Sequence, residues 1–298
     1  MNSAADLCQK YTAPHFGEPV NCTILMQTTA ALPQFDDPYA LTDGQIAKFQ
    51  QNGHILLPQV ARREAIADWR PVINAAAYRH NRETRKMEDR DTYGKAFLQI
   101  MNLWEVDEHV RRFVTARRFA RIAASLLGVP RVRLYHDQAL YKEPGGGYTP
   151  WHQDQFYWPL DTPATITMWM PLIDIPAEMG MLTFASGSHR KGMLENIEIS
   201  DNSEAVLDRY VRENKFDVVR PEFMHAGDAT WHSGWTLHHA PGNASTDTTR
   251  EVMTIIYFAD GARVTAPVND FQEADRQRWL CGIAPGQAAD SPLNPLLG

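Results

Sequence analysis

The sequence is poor in three features, each of which would define a class of protein. Its 298 residues contain only three cysteines, Cys8, Cys22 and Cys281, without the spacing of any known motif. That pattern is neither a disulfide framework nor a zinc knuckle, and it suits a reducing cytoplasm. No run approaches the roughly 20 consecutive apolar residues that a membrane span requires. The formal net charge of −7 also lacks the basic excess typical of nucleic-acid-binding proteins.

What remains is an ordinary globular composition, with 44% hydrophobic and 22% charged residues. A chain of this length buries a large core without disulfide or metal support. Residues Met1 to Asp6 lack the charged and apolar regions of a secretory signal. We therefore predict a cytoplasmic protein whose partners are neither nucleic acids nor membranes. The sequence carries no signal for an oligomeric state.

The first part of the chain has helical signals. Residues 1–40 are interrupted by prolines and predict an irregular N-terminal arm. Residues 41–128 predict a helical front, because apolar residues recur there at helical spacing. Pro71 either kinks one of these helices or marks its start. The expected helices cover 43–52, 62–79 and 107–127, and a short strand covers 54–57.

From Arg131 the apolar spacing changes to that of strands. Short strands separated by glycine- and proline-containing turns, without intervening helices, favour an antiparallel sandwich or barrel. A jelly roll is the natural member of this class, and its mouth can hold a metal ion. The expected strands cover 131–142, 165–173, 181–185, 216–220, 228–232, 235–239 and 250–259.

These observations predict one domain over residues 1–298, mainly β with flanking helices. The jelly-roll core is expected at 129–262, and residues 263–298 are expected to form a C-terminal tail. Residues 190–215 interrupt the core with a helical or irregular insertion. This insertion is either a lid over the site or an ordinary surface excursion.

One short motif concentrates the chemistry. His152 and Asp154 form the only His-x-Asp in the sequence, directly after a glycine-rich turn. Residues i and i+2 of a strand point to the same face, so this imidazole and carboxylate can converge. With one further histidine they form the two-histidine, one-carboxylate set that holds non-haem Fe(II) with open positions. The motif alone is a weak signal, because a chain with eleven histidines contains such a pair by chance.

The further histidine has several candidates, all in the C-terminal half. His225 precedes a turn, whereas the run from Thr230 to His238 resembles one returning strand with Gly234 as a possible bulge. Arg250 opens the next apolar strand and offers a guanidinium fork for a carboxylate, although a surface salt bridge is equally consistent. The candidate histidines are His225, His232, His238 and His239.

Taken together, these residues resemble the phytanoyl-CoA dioxygenase family of Fe(II)/2-oxoglutarate-dependent oxygenases, in consistent order over roughly residues 40–260. That family has a double-stranded β-helix, which is a cupin-like jelly roll. The resemblance rests on Tyr141-Lys142-Glu143-Pro144, His152-Gln153-Asp154, Trp169, Gly180 with Leu182, Gly187-Ser188-His189, Gly227-Asp228, His238 to Asn243, and Arg250.

The resemblance implies a set of site residues and cofactors. His152, Asp154 and His238 would bind Fe(II), with His238 preferred over His239 because its spacing to Asn243 fits the family motif. Arg250 would anchor the far carboxylate of 2-oxoglutarate, and O2 would be the second co-substrate. Further contacts to 2-oxoglutarate are implied for Gln99, Gln138 and Trp169.

The implied activity is oxidation of a C–H bond with release of succinate and CO2. Related halogenases lack the acidic ligand, so Asp154 favours hydroxylation, or a related desaturation or epoxidation. Aromatic residues such as Tyr157 and Trp158 suggest a small, apolar substrate from specialised (secondary) metabolism, although strand aromatics also build cores. Two alternatives are a metal-dependent isomerase or hydrolase on a cupin-like barrel, which would not need Arg250, and a binding module without turnover.

Overall fold

A computed structural model describes residues 32–298. Most of the predicted N-terminal arm therefore lies outside the described residues. The described end of that arm is well packed: the Phe35 ring lies 5.2 Å from that of Phe119 and 6.5 Å from that of Trp69. The indole nitrogen of Trp69 donates to the carbonyl of Pro33 at 3.0 Å. The described end of the arm is thus part of the hydrophobic core.

The helical front forms as predicted, because its ends carry strong local signals. Thr42 and Gln45 make a reciprocal capping box, and Gly53 ends the first helix with a positive φ of 76°. Pro71 lies inside the second helix and does not start it. The helices are α1 (Asp43–Asn52), α2 (Arg63–His80), α3 (Thr92–Ala96), α4 (Leu103–Val106), α5 (Glu108–Val114), α6 (Arg117–Leu127), α7 (Asp201–Glu213) and α8 (Asp270–Trp279).

The strands form two principal antiparallel sheets, and the fold is the predicted jelly roll with flanking helices. A seven-stranded sheet has the order β1-β10-β5-β12-β3-β13 with β2 also on β3, and a four-stranded sheet has the order β4-β11-β7-β8. The bounds are β1 (His54–Leu57), β2 (Leu98–Met101), β3 (Val132–Lys142), β4 (Thr149–His152), β5 (Thr165–Pro171), β6 (Ile175–Pro176), β7 (Thr183–Ala185), β8 (Val218–Val219), β9 (Phe223–Met224), β10 (Ala229–Ser233), β11 (His238–Ala240), β12 (Arg250–Ala259) and β13 (Leu296–Leu297).

The expected strands 228–232 and 235–239 are separate in the structure, and the interpretation of Thr230 to His238 as one returning strand with a bulge is wrong. This run divides into β10, in the large sheet, and β11, in the small sheet. The chain crosses between the sheets at Gly234, which packs too closely for a side chain. A Cβ atom there would lie 2.3 Å from Oγ1 of Thr165 and 2.8 Å from Trp158. The crossing places His238 on β11, directly opposite His152 of β4.

The C-terminal segment 263–298 is more than the predicted tail. It contains α8, and β13 extends the large sheet by pairing with β3. The side-chain amide of Asn294 donates to the carbonyl of Leu134 at 3.0 Å, which secures the returning chain. These long-range contacts leave no local periodic signal, so the sequence pattern did not reveal them.

The insertion contains α7, which packs against the outside of the small sheet. Glu204 accepts a hydrogen bond from the backbone N–H of Trp151 at 2.7 Å, and Leu207 and Val211 join Trp151 in one apolar cluster. None of the helices within residues 32–298 is both long and apolar enough to cross a membrane.

Candidate metal and co-substrate site

A cavity of about 230 Å³ lies between the two sheets. The large sheet contributes β2, β3, β5, β10 and β12 to its wall, and the small sheet contributes β4 and β11. The seven predicted site residues all line this cavity: Gln99, Gln138, His152, Asp154, Trp169, His238 and Arg250. Site residues as far apart in the sequence as Gln99 and Arg250 therefore meet in one cavity.

The predicted metal ligands converge at one wall of the cavity. His152 ends β4, and Gln153 continues in extended conformation with φ −122° and ψ 122°, which keeps Asp154 on the same side. Oδ1 of Asp154 lies 3.4 Å from Nε2 of His152 and 3.5 Å from Nε2 of His238. One ligand atom from each of the three residues lies within 4.8 Å of the others.

Both imidazoles are oriented by their second ring nitrogen. Nδ1 of His152 lies 2.7 Å from the carbonyl of Pro150, and Nδ1 of His238 lies 3.0 Å from the carbonyl of Thr236. A carbonyl accepts only, so each Nδ1 carries the proton and each Nε2 presents a lone pair to the cluster. Burial, reinforced by the two neighbouring imidazoles, holds the pKa of His238 well below its usual range. The neutral ring that results is the form that binds metal.

The two oxygens of Asp154 have different partners. Oδ1 faces the imidazoles, whereas Oδ2 accepts from the hydroxyl of Thr167 at 2.8 Å and lies 3.1 Å from Nε2 of His232. Burial by itself would raise the pKa of Asp154, but His238, His152 and His232 together hold it well below its usual range. The carboxylate is thus ionised and offers one free oxygen.

The structure separates the four candidate histidines. His238 approaches the metal-facing oxygen of Asp154, and His232 approaches the opposite oxygen. The His239 ring stacks on Trp151 at 4.1 Å, and His225 contacts Asp174 at 3.5 Å. The role of His232 beside the carboxylate was missed, because it depends on β10 and β4 belonging to different sheets.

Arg250 brings an unpaired positive charge into the same cavity. Its side chain is 2% exposed, and its guanidinium lies 5.2 Å from the centre of the Trp169 ring. One Nη donates to the carbonyl of Gly180, while Nε has no hydrogen-bond partner. Within residues 32–298 it forms no ion pair with a carboxylate, and burial lowers its pKa to about 9. A buried guanidinium without an ion-pair partner would be stabilised by an anionic ligand.

Lys142 adds a second buried cation that the sequence did not single out as a site residue. It lies opposite Arg250 in the β3–β12 pair, and its Nζ donates to the carbonyl of Gly147 at 2.5 Å. Burial, together with the charge of Arg250, lowers the pKa of Lys142 to about 6. The guanidinium is therefore the main positive charge at this end of the cavity near neutral pH.

This donor set fits the group that the family resemblance implies. Two neutral imidazole nitrogens and one carboxylate oxygen are the ligands of non-haem Fe(II) centres with open positions. The orphaned guanidinium of Arg250 fits the far carboxylate of a dicarboxylic co-substrate. No other cluster of histidine, cysteine and acidic side chains within the described part of the chain has comparable geometry.

Comparison with known proteins agrees with this chemistry. The model of the phytanoyl-CoA dioxygenase family matches residues 49–252. Methylphosphonate hydroxylase of Gimesia maris is 24% identical over 252 residues, covering 82% of this chain and 89% of the relative.

Several solved structures share the fold. The non-heme alpha ketoglutarate dependent carbocyclase SnoK from nogalamycin biosynthesis has a TM-score of 0.72 and 23% identity, covering 88% of this chain and 100% of its own. EctD from S. alaskensis, solved with 2-oxoglutarate and 5-hydroxyectoine, has a TM-score of 0.63 and 20% identity, covering 88% and 94%. On the family match over residues 49–252, the chain belongs to the phytanoyl-CoA dioxygenase family of Fe(II)- and 2-oxoglutarate-dependent oxygenases.

Proposed function

We propose that His152, Asp154 and His238 hold Fe(II), that Arg250 anchors 2-oxoglutarate, and that the protein hydroxylates a C–H bond of a small molecule. The observation that carries this proposal is the position of the unpaired guanidinium in the same cavity as the three ligand atoms. A cupin-like isomerase or hydrolase would need the three ligands but would leave the buried guanidinium of Arg250 without an anionic ligand.

Fe(II) held by His152, Asp154 and His238 would supply an oxidising centre with 2-oxoglutarate and O2, and succinate and CO2 would be released. The protein supplies orientation and a dry enclosure. Arg250 fixes the far carboxylate, and Trp169 covers the guanidinium face. Gln138 and Gln99 offer amide groups farther along the wall, since Gln138 lies opposite Thr254 and Gln99 lies opposite Leu140.

Hydroxylation is the outcome that the ligand set supports best. Asp154 supplies the carboxylate ligand, so the position that a halide would need is filled. The relatives methylphosphonate hydroxylase and EctD, the latter solved with 5-hydroxyectoine, agree with hydroxylation. Tyr157 and Trp158 line the cavity and favour a substrate with an apolar body, as expected for a specialised metabolite. We place the reaction in the cytoplasm, in keeping with the three unpatterned cysteines.

An anaerobic titration tests the proposal directly. The apo protein is titrated with Fe(II) and then with 2-oxoglutarate while the visible spectrum is recorded. We expect a weak charge-transfer band that disappears in His152→Ala and weakens in Arg250→Ala. Arg117→Ala, an exposed arginine on α6, is the matched control and should retain the band.

The outcomes separate the candidate functions. Fe(II) binding without a band would overturn the 2-oxoglutarate proposal and favour the non-oxygenase. Absence of Fe(II) binding would favour the binding module without turnover.

A further inference from the structure

The cavity has a second charged end, formed in part by the C-terminal helix α8. Arg250 and Ile256 lie on the same cavity-lining face of β12, and about 20 Å of strand separates them. Ile256 lies opposite His136 of β3. At this end Asp275 of α8 also lines the cavity. The His136 ring is 5.2 Å from Trp279, which is one turn further along α8.

Asp275 is an acidic group without a cationic partner. The hydroxyl of Tyr135 donates to its Oδ2 at 3.0 Å, and the indole of Trp279 also contributes a hydrogen bond. Within the described residues Asp275 forms no ion pair. The charge of Arg278 lowers the pKa of Asp275, but Arg278 is exposed and lies over the Trp279 ring at 4.2 Å.

Tyr93 and Tyr157 line the same wall as Asp275. Burial is the main cause of the raised pKa values of both tyrosines, and the charges of Asp154 and Asp275 add smaller contributions. Burial raises the pKa of Asp275 itself to about 7, partly offset by Tyr135, Arg278 and Trp279. A cation next to this carboxylate would relieve the cost of burying its charge.

We propose that Asp275 receives a basic nitrogen of the substrate, so that this oxygenase acts on a small amine whose apolar body reaches toward the metal site. The proposal rests on the proposed function and names the substrate class for the same cavity. It refines the purely apolar substrate expected from the aromatic lining alone.

The surrounding side chains suit an ammonium group. The rings of Tyr157, Trp158 and Tyr93 line the same end of the cavity, and aromatic faces attract cations in desolvated sites. An anion would instead meet the Asp275 carboxylate without a compensating positive charge. Each end of the cavity thus carries a charge opposite to that of its proposed ligand. Arg250 faces the co-substrate carboxylate, and Asp275 faces the substrate nitrogen.

Asp275 also lies outside the segment that matches the family. The match ends at residue 252, whereas α8 spans Asp270–Trp279. The carboxylate therefore lies outside the part of the chain that the family model describes. We expect α8 to determine which substrates enter, since it contributes to the cavity wall but supplies none of the proposed metal ligands.

Three probes of similar shape test the inference: cyclohexylamine, cyclohexanol and cyclohexanecarboxylate. Their binding is measured calorimetrically to the anaerobic protein with Fe(II) and 2-oxoglutarate, and again to the metal-free protein. We expect the amine to bind about tenfold or more tightly than the alcohol, and the carboxylate to bind more weakly than both. The preference should survive removal of the metal, since Asp275 is not a ligand.

Two variants test whether Asp275 is the source of the preference for the amine. Asp275→Asn should remove the advantage of the amine over the alcohol, whereas Asp270→Asn, an exposed carboxylate on the same helix, should retain it. Equal binding of the three probes, no binding of the amine, or an amine preference unchanged in Asp275→Asn would overturn the inference. The comparison of probes on the unaltered protein stands even if a variant fails to fold.

The same samples separate this inference from the proposed function. A normal charge-transfer band with 2-oxoglutarate, combined with no amine preference, would reject only the substrate class. Absence of the band would reject the proposed function, whatever the probes do.

Discussion

His232 and Asp154 form a partly buried pair at the edge of the metal site, with Nε2 of the histidine 3.1 Å from Oδ2 of the carboxylate. The hydroxyl of Thr167 donates to the same oxygen at 2.8 Å. Because Oδ2 is engaged in this way, Oδ1 is the oxygen that remains for a metal. Outer partners of this kind orient ligands and tune metal affinity.

Replacing His232 should therefore weaken Fe(II) binding without removing a ligand. We expect His232→Leu to lower the affinity about 10- to 100-fold and to shift the charge-transfer band. His232→Gln, which keeps an N–H donor, should recover part of the affinity. The measurement is anaerobic Fe(II) titration, with His239→Leu as the control outside the cluster. Equal losses in both variants would point to a general packing defect instead.

Gly180 should be intolerant of a side chain because of its position beside Arg250. Its φ is +79°, and an added Cβ would lie 2.7 Å from the carbonyl of Pro241 and 3.2 Å from Nη1 of Arg250. Gly180→Ala should raise the 2-oxoglutarate concentration needed for half-saturation and destabilise the fold by about 1–3 kcal/mol. The measurements are a 2-oxoglutarate titration and urea unfolding.

Gly261 provides a matched control for that substitution. Its φ is +90°, but nothing lies within 4 Å of an added Cβ. Gly261→Ala should therefore lose stability through backbone strain alone and leave 2-oxoglutarate binding unchanged. If Gly180→Ala and Gly261→Ala bound 2-oxoglutarate equally well, the contact with Arg250 would not be what affects co-substrate binding.

The buried carboxyl of Asp137 should make stability depend on pH. Burial raises its pKa to about 7, although the backbone N–H groups of Trp104 and Leu103 oppose the shift. The folded state then holds this proton more tightly than the unfolded state. The stability from this group is full below the unfolded pKa and is lost as pH rises toward the folded pKa of about 7.

Asp137→Asn should remove that dependence. Between about pH 5.5 and pH 8 the unaltered protein should lose about 2 kcal/mol relative to the variant, at roughly 1.4 kcal/mol per pH unit up to the folded pKa. Urea unfolding of both proteins at both pH values measures how much the free energy of unfolding of each changes with pH. Subtracting one change from the other removes the contribution of the other titrating groups. Parallel pH profiles for the two proteins would contradict the assignment.

The carboxylate ligand should also exclude halogenation. With chloride or bromide in the assay, the unaltered protein should yield only hydroxylated or otherwise oxidised product, because Asp154 fills the position that a halide requires. Mass spectrometry of the products checks this. Halogenated product from the unaltered protein would show that Asp154 does not remain bound during turnover.

Much of the local architecture followed from short patterns in the sequence. Thr42, Gln45 and Gly53 marked the ends of α1, because capping depends on residues within one turn. The apolar run within residues 250–259 predicted β12 correctly. The His-x-Asp spacing placed His152 and Asp154 on one side, because an extended chain alternates its side chains.

Tertiary structure alone decided which distant groups converge on these elements. Gly234 moves the chain from one sheet to the other, and this crossing brings His238 to Asp154 and leaves His232 on the opposite oxygen. The return of α8 brings Asp275 to the far end of the cavity. Such contacts depend on sheet register and long-range packing, whereas a sequence pattern reports only neighbours along the chain. His152 and Asp154 were therefore foreseeable from the motif and His238 from the family resemblance, but their supporting partners and the far end of the cavity were not.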